Sequence, residues 1–231
     1  MRALILAAGL GRRLGYKTKN VPKALVKIDN KEILEHQLSV LRKFNIRRIC
    51  IVVGYKSDKI IKFIKKKNYF IFKIIVNKNY YKTDSAYSFS LAKNFINSNY
   101  IHINCDIIFN SSVLKYILKS KRKNILSCRS DLKLGKKMDL IKTINARVMR
   151  FDNKYYPDAE KKVFGLAKVS KELAQDMMKK IEFDINKNKL KKKCFSYFKN
   201  LCRKKPIYSI DFKKENLREI NYLHDIKNRK Q

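Results

Sequence analysis

The chain has 231 residues, 45% of them apolar, enough to bury a sizeable core and to exclude a disordered protein. Its 56 Lys and Arg against 19 Asp and Glu give a formal charge of +37, so its electrostatics favour anionic partners. The basic residues are scattered over Lys65–Lys67, Lys119–Lys123, Lys189–Lys193 and Arg203–Lys205. A solvated lysine-rich surface, in a chain also rich in Asn and Ile, is what biased codon usage produces. No helix-turn-helix, RNA-recognition or zinc-finger signature is present, so no specific nucleic-acid partner is expected. Five cysteines without a C-x-x-C pair fit a reducing, cytoplasmic setting. No run approaches the roughly 18 uncharged apolar residues of a spanning helix, so no transmembrane segment is expected. With 6 Gly, 3 Pro and no linker-like stretch, residues 1–231 read as a single domain.

Short β-rich apolar runs alternate with amphipathic segments. The pattern predicts a strand at Arg2–Ala7, a helix at Glu32–Phe44, a strand at Arg48–Val53, a helix at Asp58–Lys66 and a strand at Phe72–Asn77. A helix at Ser85–Ile96 and a strand at Tyr100–Ile107 follow. Further on, the pattern gives a helix at Val113–Lys119, a strand near Ile125–Arg129, a strand-rich stretch at Leu140–Asp152 and a strand at Phe164–Val169. The last elements are a helix at Glu172–Ile181, a strand at Ile207–Phe212 and a helix near Tyr222–Asn228. Such alternation indicates an α/β fold, a Rossmann-like, mostly parallel sheet with helices on both faces.

The first strand runs into Leu6-Ala7-Ala8-Gly9-Leu10-Gly11-Arg12-Arg13, at the strand end where open α/β sheets bind ligands. Glycines let the backbone approach phosphate oxygens, and Arg13 adds forked donors. Neither the dinucleotide fingerprint nor the P-loop fits, because Leu14 and Tyr16 stand where Gly and Lys are required. Gly9-x-Gly11-x-Arg13-Leu14 followed by Thr18-x-x-x-Pro22-Lys23 instead resembles the signature of sugar-1-phosphate and phosphocholine-type nucleotidyltransferases, enzymes of the nucleotide-diphospho-sugar transferase fold. The resemblance implies that Arg13 contacts the β/γ-phosphates and Lys23 the α-phosphate. Arg12 stands where that family usually has Ser or Thr, and Tyr16 where it usually has Pro.

An anionic acceptor attacking an anionic α-phosphate needs charge neutralisation, which Mg²⁺ on one or two carboxylates supplies. Asp106, closing the strand Tyr100–Cys105, resembles the family's metal-binding Asp. The family often has Asp-x-Asp there, and this chain has Asn104-Cys105-Asp106. Glu219-Ile220-Asn221-x-x-x-Asp225 resembles the family's terminal segment, which makes Asn221 the best candidate for the second metal ligand; Asp225 and Glu219 are expected to cap a helix or support the ligands, with a surface role for Glu219 as the alternative.

Thr83-Asp84-Ser85-Ala86-Tyr87-Ser88-Phe89-Ser90-Leu91-Ala92 looks closest to the N-S-x-Y-S-[FL]-x-L-A run of phosphocholine cytidylyltransferases and points to CTP. Thr83, Asp84, Ser85 and Ser88 are the expected base-side residues, with Asp84 in place of the usual Asn. Lys154 and Tyr155 resemble part of the family's acceptor side, and Tyr155 with Tyr156 suggests a cage for a quaternary amine. His36, His102 and His224 show no spacing of a zinc site or of a nucleophile–base pair.

The expectation is a cytidylyltransferase with Arg13, Lys23 and Asp106 as its catalytic residues and Mg²⁺ as cofactor. It would take an NTP, by preference CTP, and a small phosphorylated acceptor such as phosphocholine or aminoethylphosphonate. A sugar-1-phosphate nucleotidyltransferase and a non-catalytic basic polyanion-binding module are the alternatives, and a homodimer is left open.

Overall fold

A computed structural model of the chain describes residues 1–226. In chain order it contains β1 (Arg2–Ala7), β2 (Lys27–Ile28), β3 (Lys31–Glu32), α1 (Ile33–Lys43), β4 (Arg48–Val53), α2 (Ser57–Lys65) and β5 (Ile71–Val76). Next come α3 (Ser85–Leu91), β6 (Tyr100–Asn104), β7 (Ile107–Phe109), α4 (Ser111–Lys119), β8 (Ile125–Arg129), β9 (Leu140–Ile144) and β10 (Arg147–Asp152). The remainder is β11 (Lys161–Val169), α5 (Lys171–Asn186), α6 (Phe198–Leu201), β12 (Tyr208–Asp211) and β13 (Leu217–Glu219).

Among the described residues, nine strands form one sheet in the order β5-β4-β1-β6-β11-β8-β12-β10-β9. The block β5-β4-β1-β6 is wholly parallel, with Leu6 opposite Val52 on one side and Asn104 on the other. The α/β architecture is therefore as the alternation indicated. β11 enters antiparallel between β6 and β8, and β9–β10 is an antiparallel hairpin, so the far half is mixed.

Strand parity assigns each helix to its layer. Ala3, Ile5 and Ala7 of β1 pack with Leu34, Leu38 and Leu41 of α1, Ile60 and Ile64 of α2, and Val113, Leu114 and Ile117 of α4. Leu4 and Leu6 point the other way, into a cluster with Phe89 of α3, Leu173, Met177 and Ile181 of α5, and Phe198 and Leu201 of α6. Both faces of the central strands are thus dry, as their continuous apolar runs require. A third cluster of Leu14, Val26, Ile28, Ile33 and Ile220 fastens the loop after β1 to the C-terminal segment.

Several expected boundaries shift, among them the start of β11, three residues before the expected Phe164. The helix expected to reach Ile96 ends at Leu91, and a turn follows with Ala92 N–H on Phe89 O and Phe95 N–H on Ala92 O. The strand expected through Ile107 breaks at Cys105-Asp106, because β7 leaves the large sheet to pair with β13. The helix expected at Glu172–Ile181 extends to Asn186. The final helix is a short 3-10 turn at Leu223–Asp225, and Lys227 and Asn228 lie outside the described residues. No described helix is long and apolar enough to cross a membrane.

Candidate active site

The loop after β1 is shaped by Gly11, whose φ of 66° lies in the left-handed region. A Cβ there would come within 3.0 Å of Thr18 Cγ2 and 3.1 Å of Lys23 Cβ, so this glycine also lets the loop close on Thr18 and Lys23. Thr18 is buried and donates its hydroxyl to Gly11 O at 3.1 Å. Pro22 then leads into a single 3-10 turn, Lys23–Leu25, which turns Lys23 inwards; its residue exposure is only 7%.

Lys23 Nζ donates to Asp106 Oδ2 at 2.8 Å and to Asn221 Oδ1 at 3.0 Å. Arg13 donates to the same Asn221 oxygen and lies over the Tyr222 ring at 5.5 Å. Four residues from three distant segments therefore meet at one point. The two-stranded ladder β7–β13 brings them there, extended by Ile220 N–H on Asp106 O at 2.8 Å. Asp225 Oδ2 accepts from the amides of Asn221 and Tyr222, both at 2.8 Å, which fixes the backbone that carries Asn221.

The donor set fits a hard divalent cation. Asp106 Oδ1 is buried and has no hydrogen-bond partner among the described residues, while Asn221 contributes a neutral oxygen beside it. Two protein oxygens, the rest of the coordination left to ligand and water, is the usual Mg²⁺ arrangement. No cluster of three or more His, Cys, Asp or Glu suited to a metal occurs among the described residues.

Above this point opens a cavity of about 550 Å³ lined by Leu6, Ala8, Gly9, Gly11, Arg12, Arg13 and Lys23 on one side and Thr83, Asp84, Ser85 and Ser88 on the other. Asn104 and Asp106 form its floor. Ala7 does not reach it: strand parity turns its side chain into the opposite layer. The base-side wall is organised by Asn77, buried at the end of β5, whose amide donates to Thr83 Oγ1 and Ser88 Oγ, both at 3.1 Å. Asp84 caps α3 by accepting from Ser85 N–H at 2.6 Å.

Lys154 and Tyr155, expected on the acceptor side, do not line this cavity. They sit in the turn after β10, with the Lys154 amide on Asp152 Oδ1 at 3.2 Å, beside Asn153, which lines a neighbouring cavity with Asp84, Lys191 and Lys193. Tyr156 is buried with the Arg150 guanidinium 4.0 Å from its ring centre, so Tyr155 and Tyr156 form no open cage. The wall facing the loop is made instead by Asp139, Lys191, Lys193 and Glu219. Glu219 is ion-paired to Lys162, and its side chain is 19% exposed. Asp139 Oδ1 is buried without a partner among the described residues, and burial pushes its carboxyl above the usual range against the opposing pull of Lys193.

Sequence reasoning missed Asn77, Asp139, Lys191 and Lys193. Asn77 had a signal, a polar residue at the C-terminal end of an apolar strand. The lysines had none, being hidden in the run Lys189–Lys193 that backbone bonds Ala86 N–H to Lys192 O and Asp84 N–H to Leu190 O lay across the start of α3. All five cysteines are free and buried, and burial pushes the Cys105 thiol, beside Asp106, up to about 12.

The family profile of the MobA-like NTP transferase domain matches residues 3–135, more than half of the chain. The chain belongs to this NTP transferase family. The match contains the glycine loop, Lys23, the base-side wall and Asp106, whereas Asn221 comes from beyond it. The chain is 40% identical over 113 residues to choline-phosphate cytidylyltransferase of Haemophilus influenzae, covering 49% of this chain and 47% of that protein. It spans only about half the length of that relative. It is 28% identical over 195 residues to CTP:phosphoglutamine cytidylyltransferase of Campylobacter jejuni, covering 77% of this chain and 76% of that protein. The fold of CTP:phosphocholine cytidylyltransferase from Streptococcus pneumoniae superposes with a TM-score of 0.79 over 97% of this chain and 95% of that one, at 21% identity.

Proposed function

We propose that this NTP transferase is a Mg²⁺-dependent cytidylyltransferase that moves CMP from CTP to a small phosphorylated acceptor and releases pyrophosphate. The observation that carries the reading is the convergence of Lys23, Arg13, Asp106 and Asn221 beneath a cavity walled by Thr83, Ser85 and Ser88. The names of the cytidylyltransferases that it resembles support CTP as the donor.

The chemistry asks little of the protein beyond positioning and charge compensation. An acceptor phosphate oxygen forms a bond to the α-phosphorus while the bond to the β-phosphate bridging oxygen breaks, and pyrophosphate leaves with that electron pair. The acceptor is already ionised, so no covalent enzyme intermediate is needed. Lys23, held at the cavity floor, is placed to meet charge on the α-phosphate, and Arg13, at the exposed mouth of the loop, to hold the outgoing phosphates. Asp106 and Asn221 would hold Mg²⁺, which when bound supplies further neutralisation of phosphate charge. Ser88, braced by Asn77, offers its hydroxyl to the base, Thr83, whose own proton goes to Asn79 O at 2.8 Å, offers an acceptor oxygen, and the aliphatic Leu6 and Ala8 pack beneath the base. Lys191 and Lys193 supply the cationic wall for the acceptor phosphate, in the role first given to Lys154.

The test is pyrophosphate release with each of the four NTPs, with and without Mg²⁺, against phosphocholine, aminoethylphosphonate, phosphoglutamine and glucose 1-phosphate. Release with CTP and a small non-sugar acceptor is the expected result. Turnover confined to a hexose 1-phosphate would overturn the reading in favour of a sugar-1-phosphate nucleotidyltransferase.

A further inference from the structure

His102 is fully buried at the centre of β6, its ring centre 6.1 Å from that of Phe89, 6.3 Å from Tyr100 and 5.0 Å from Phe195. The mechanism above makes no use of it. Its Nε2 lies 3.1 Å from Asn104 Oδ1, and its Nδ1 is buried with no partner among the described residues. Burial lowers its pKa to about 4, so the ring is neutral at physiological pH and carries one N–H.

The place of that proton follows from the surroundings. On Nδ1 it would be an orphan donor among aromatic rings, a rare and costly state in protein interiors. On Nε2 it is donated to Asn104 Oδ1. Only that tautomer satisfies the donor, and it fixes the rotation of the Asn104 carboxamide, with Oδ1 towards His102 and the amide nitrogen free. Asn104 lines the cavity two residues before Asp106, on the strand between β1 of the nucleotide loop and β11 of the mixed half. Across from it stands Gly165, where a Cβ would lie 2.6 Å from Asn104 Cβ; a side chain there would displace the carboxamide.

We infer that His102 is a positioning residue which, through Asn104, presents an N–H donor to an oxygen of the bound ligand at the junction of the nucleotide and acceptor parts of the cavity. The identity of that ligand rests on the cytidylyltransferase reading; the His102–Asn104 relay does not. The oxygen belongs either to the nucleotide ribose or to the acceptor phosphate, two sources of the same hydrogen-bond-accepting chemistry.

The first arm of the test is ¹⁵N NMR of the imidazole in the wild-type chain at neutral pH. A protonated Nε2 with a bare Nδ1 is expected, and the opposite tautomer or an imidazolium would overturn the inference whether or not the protein turns over CTP. The second arm is kinetic. His102→Phe keeps the ring stack and removes the donor, and is expected to lower kcat/KM roughly three- to tenfold, the worth of one well-placed neutral hydrogen bond. The loss should fall on the KM of CTP if the oxygen is the ribose's, and on the KM of the acceptor if it is the phosphate's. His102→Gln, whose terminal amide nitrogen overlies Nε2, should recover most of it. Asn104→Leu should show a loss at least as large, and adding His102→Phe to it should cost nothing further. Wild-type kinetics in His102→Phe, or losses that multiply in the double variant, would overturn the relay. A panel that detects no turnover with any NTP would sink the cytidylyltransferase proposal and leave the NMR arm to decide this one.

Discussion

Lys23 Nζ and Asp106 Oδ2 form a 2.8 Å ion pair across 83 residues of sequence, with side-chain exposures of 9% and 17%. A lysine thus occupies the carboxylate that the proposed metal would use. Lys23 holds Oδ2 and leaves the buried Oδ1 without a partner, so a metal on Oδ1 would sit beside the ammonium and favour a swing of Lys23 towards phosphate.

Removal of one member of this pair separates its two roles. Asp106→Ala leaves a buried ammonium uncompensated and is expected to lower stability by about 3–5 kcal/mol, as for other broken buried pairs. Asp106→Asn removes the same charge but keeps an acceptor oxygen for Lys23 Nζ, so it should fold with a smaller stability loss, yet lose on the order of 10²-fold or more in kcat, comparable to removal of a preorganised charge-stabilising group. Thermal melts beside pyrophosphate release check both. Near-wild-type turnover in Asp106→Asn would remove Asp106 from the chemistry.

Metal removal makes a second expectation. EDTA should abolish turnover, and Mg²⁺ with CTP should raise the melting temperature, because ligand at about 100 times its Kd stabilises a protein by roughly 2.7 kcal/mol. Asp106→Asn and Asn221→Leu should each blunt the Mg²⁺-dependent part of the shift. An Mg²⁺-dependent shift identical in the wild type and both variants would place the metal elsewhere.

Base choice gives the third. Asp84 puts a hydrogen-bond acceptor with no donor at the rim of the base-side wall. That suits the exocyclic amine of cytosine and not the O4 carbonyl of uracil. Asp84→Asn adds donors and should raise the ratio of UTP to CTP use by roughly tenfold, the value of one hydrogen-bond preference. Competition assays with both nucleotides measure the ratio directly; an unaltered ratio would mean that the base lies away from Asp84.

The acid side of the stability curve supplies the fourth. His102 is held near a pKa of about 4, below the ordinary 6.5, chiefly by burial. Between these values the unfolded chain binds a proton that the folded chain refuses, so stability rises with pH through this window. The stabilisation is complete above about pH 6.5 and falls away as the pH drops towards 4, by roughly 3 kcal/mol for a shift of this size. Urea melts between pH 4 and 7 should show the slope in the wild type, and His102→Phe should flatten it. An equal slope in both proteins would assign it to other groups.

The loop and the central strands were legible because their constraints are local. Gly11 needs a left-handed φ, Lys23 follows Pro22 at a fixed interval, and Ala3 to Ala7 alternate between two apolar layers. Asp106 and Asn221 were legible as residue types, but their meeting depends on β7 and β13 leaving the main sheet to pair, which no short-range pattern encodes. The acceptor side was read at Lys154 because a lysine beside aromatics looks the same wherever the chain carries it. The wall at Lys191 and Lys193 is set by the backbone bonds of Leu190 and Lys192 over α3, and hydrogen bonds of irregular segments leave no periodicity to read. Asp139 was missed because the burial of its Oδ1 belongs to the fold and not to the residue, whereas Asn77 carried a signal in its place at the end of an apolar strand.

The bond from Ile220 N–H to Asp106 O has a use beyond holding Asn221 in place. Because it joins the last segment of the site to the strand end that carries the carboxylate, its amide proton exchanges with solvent only when that segment undocks. The exchange rate of Ile220, compared with that of amides in the central strands, is therefore a gauge of how often the site comes apart, readable without substrate, metal or turnover.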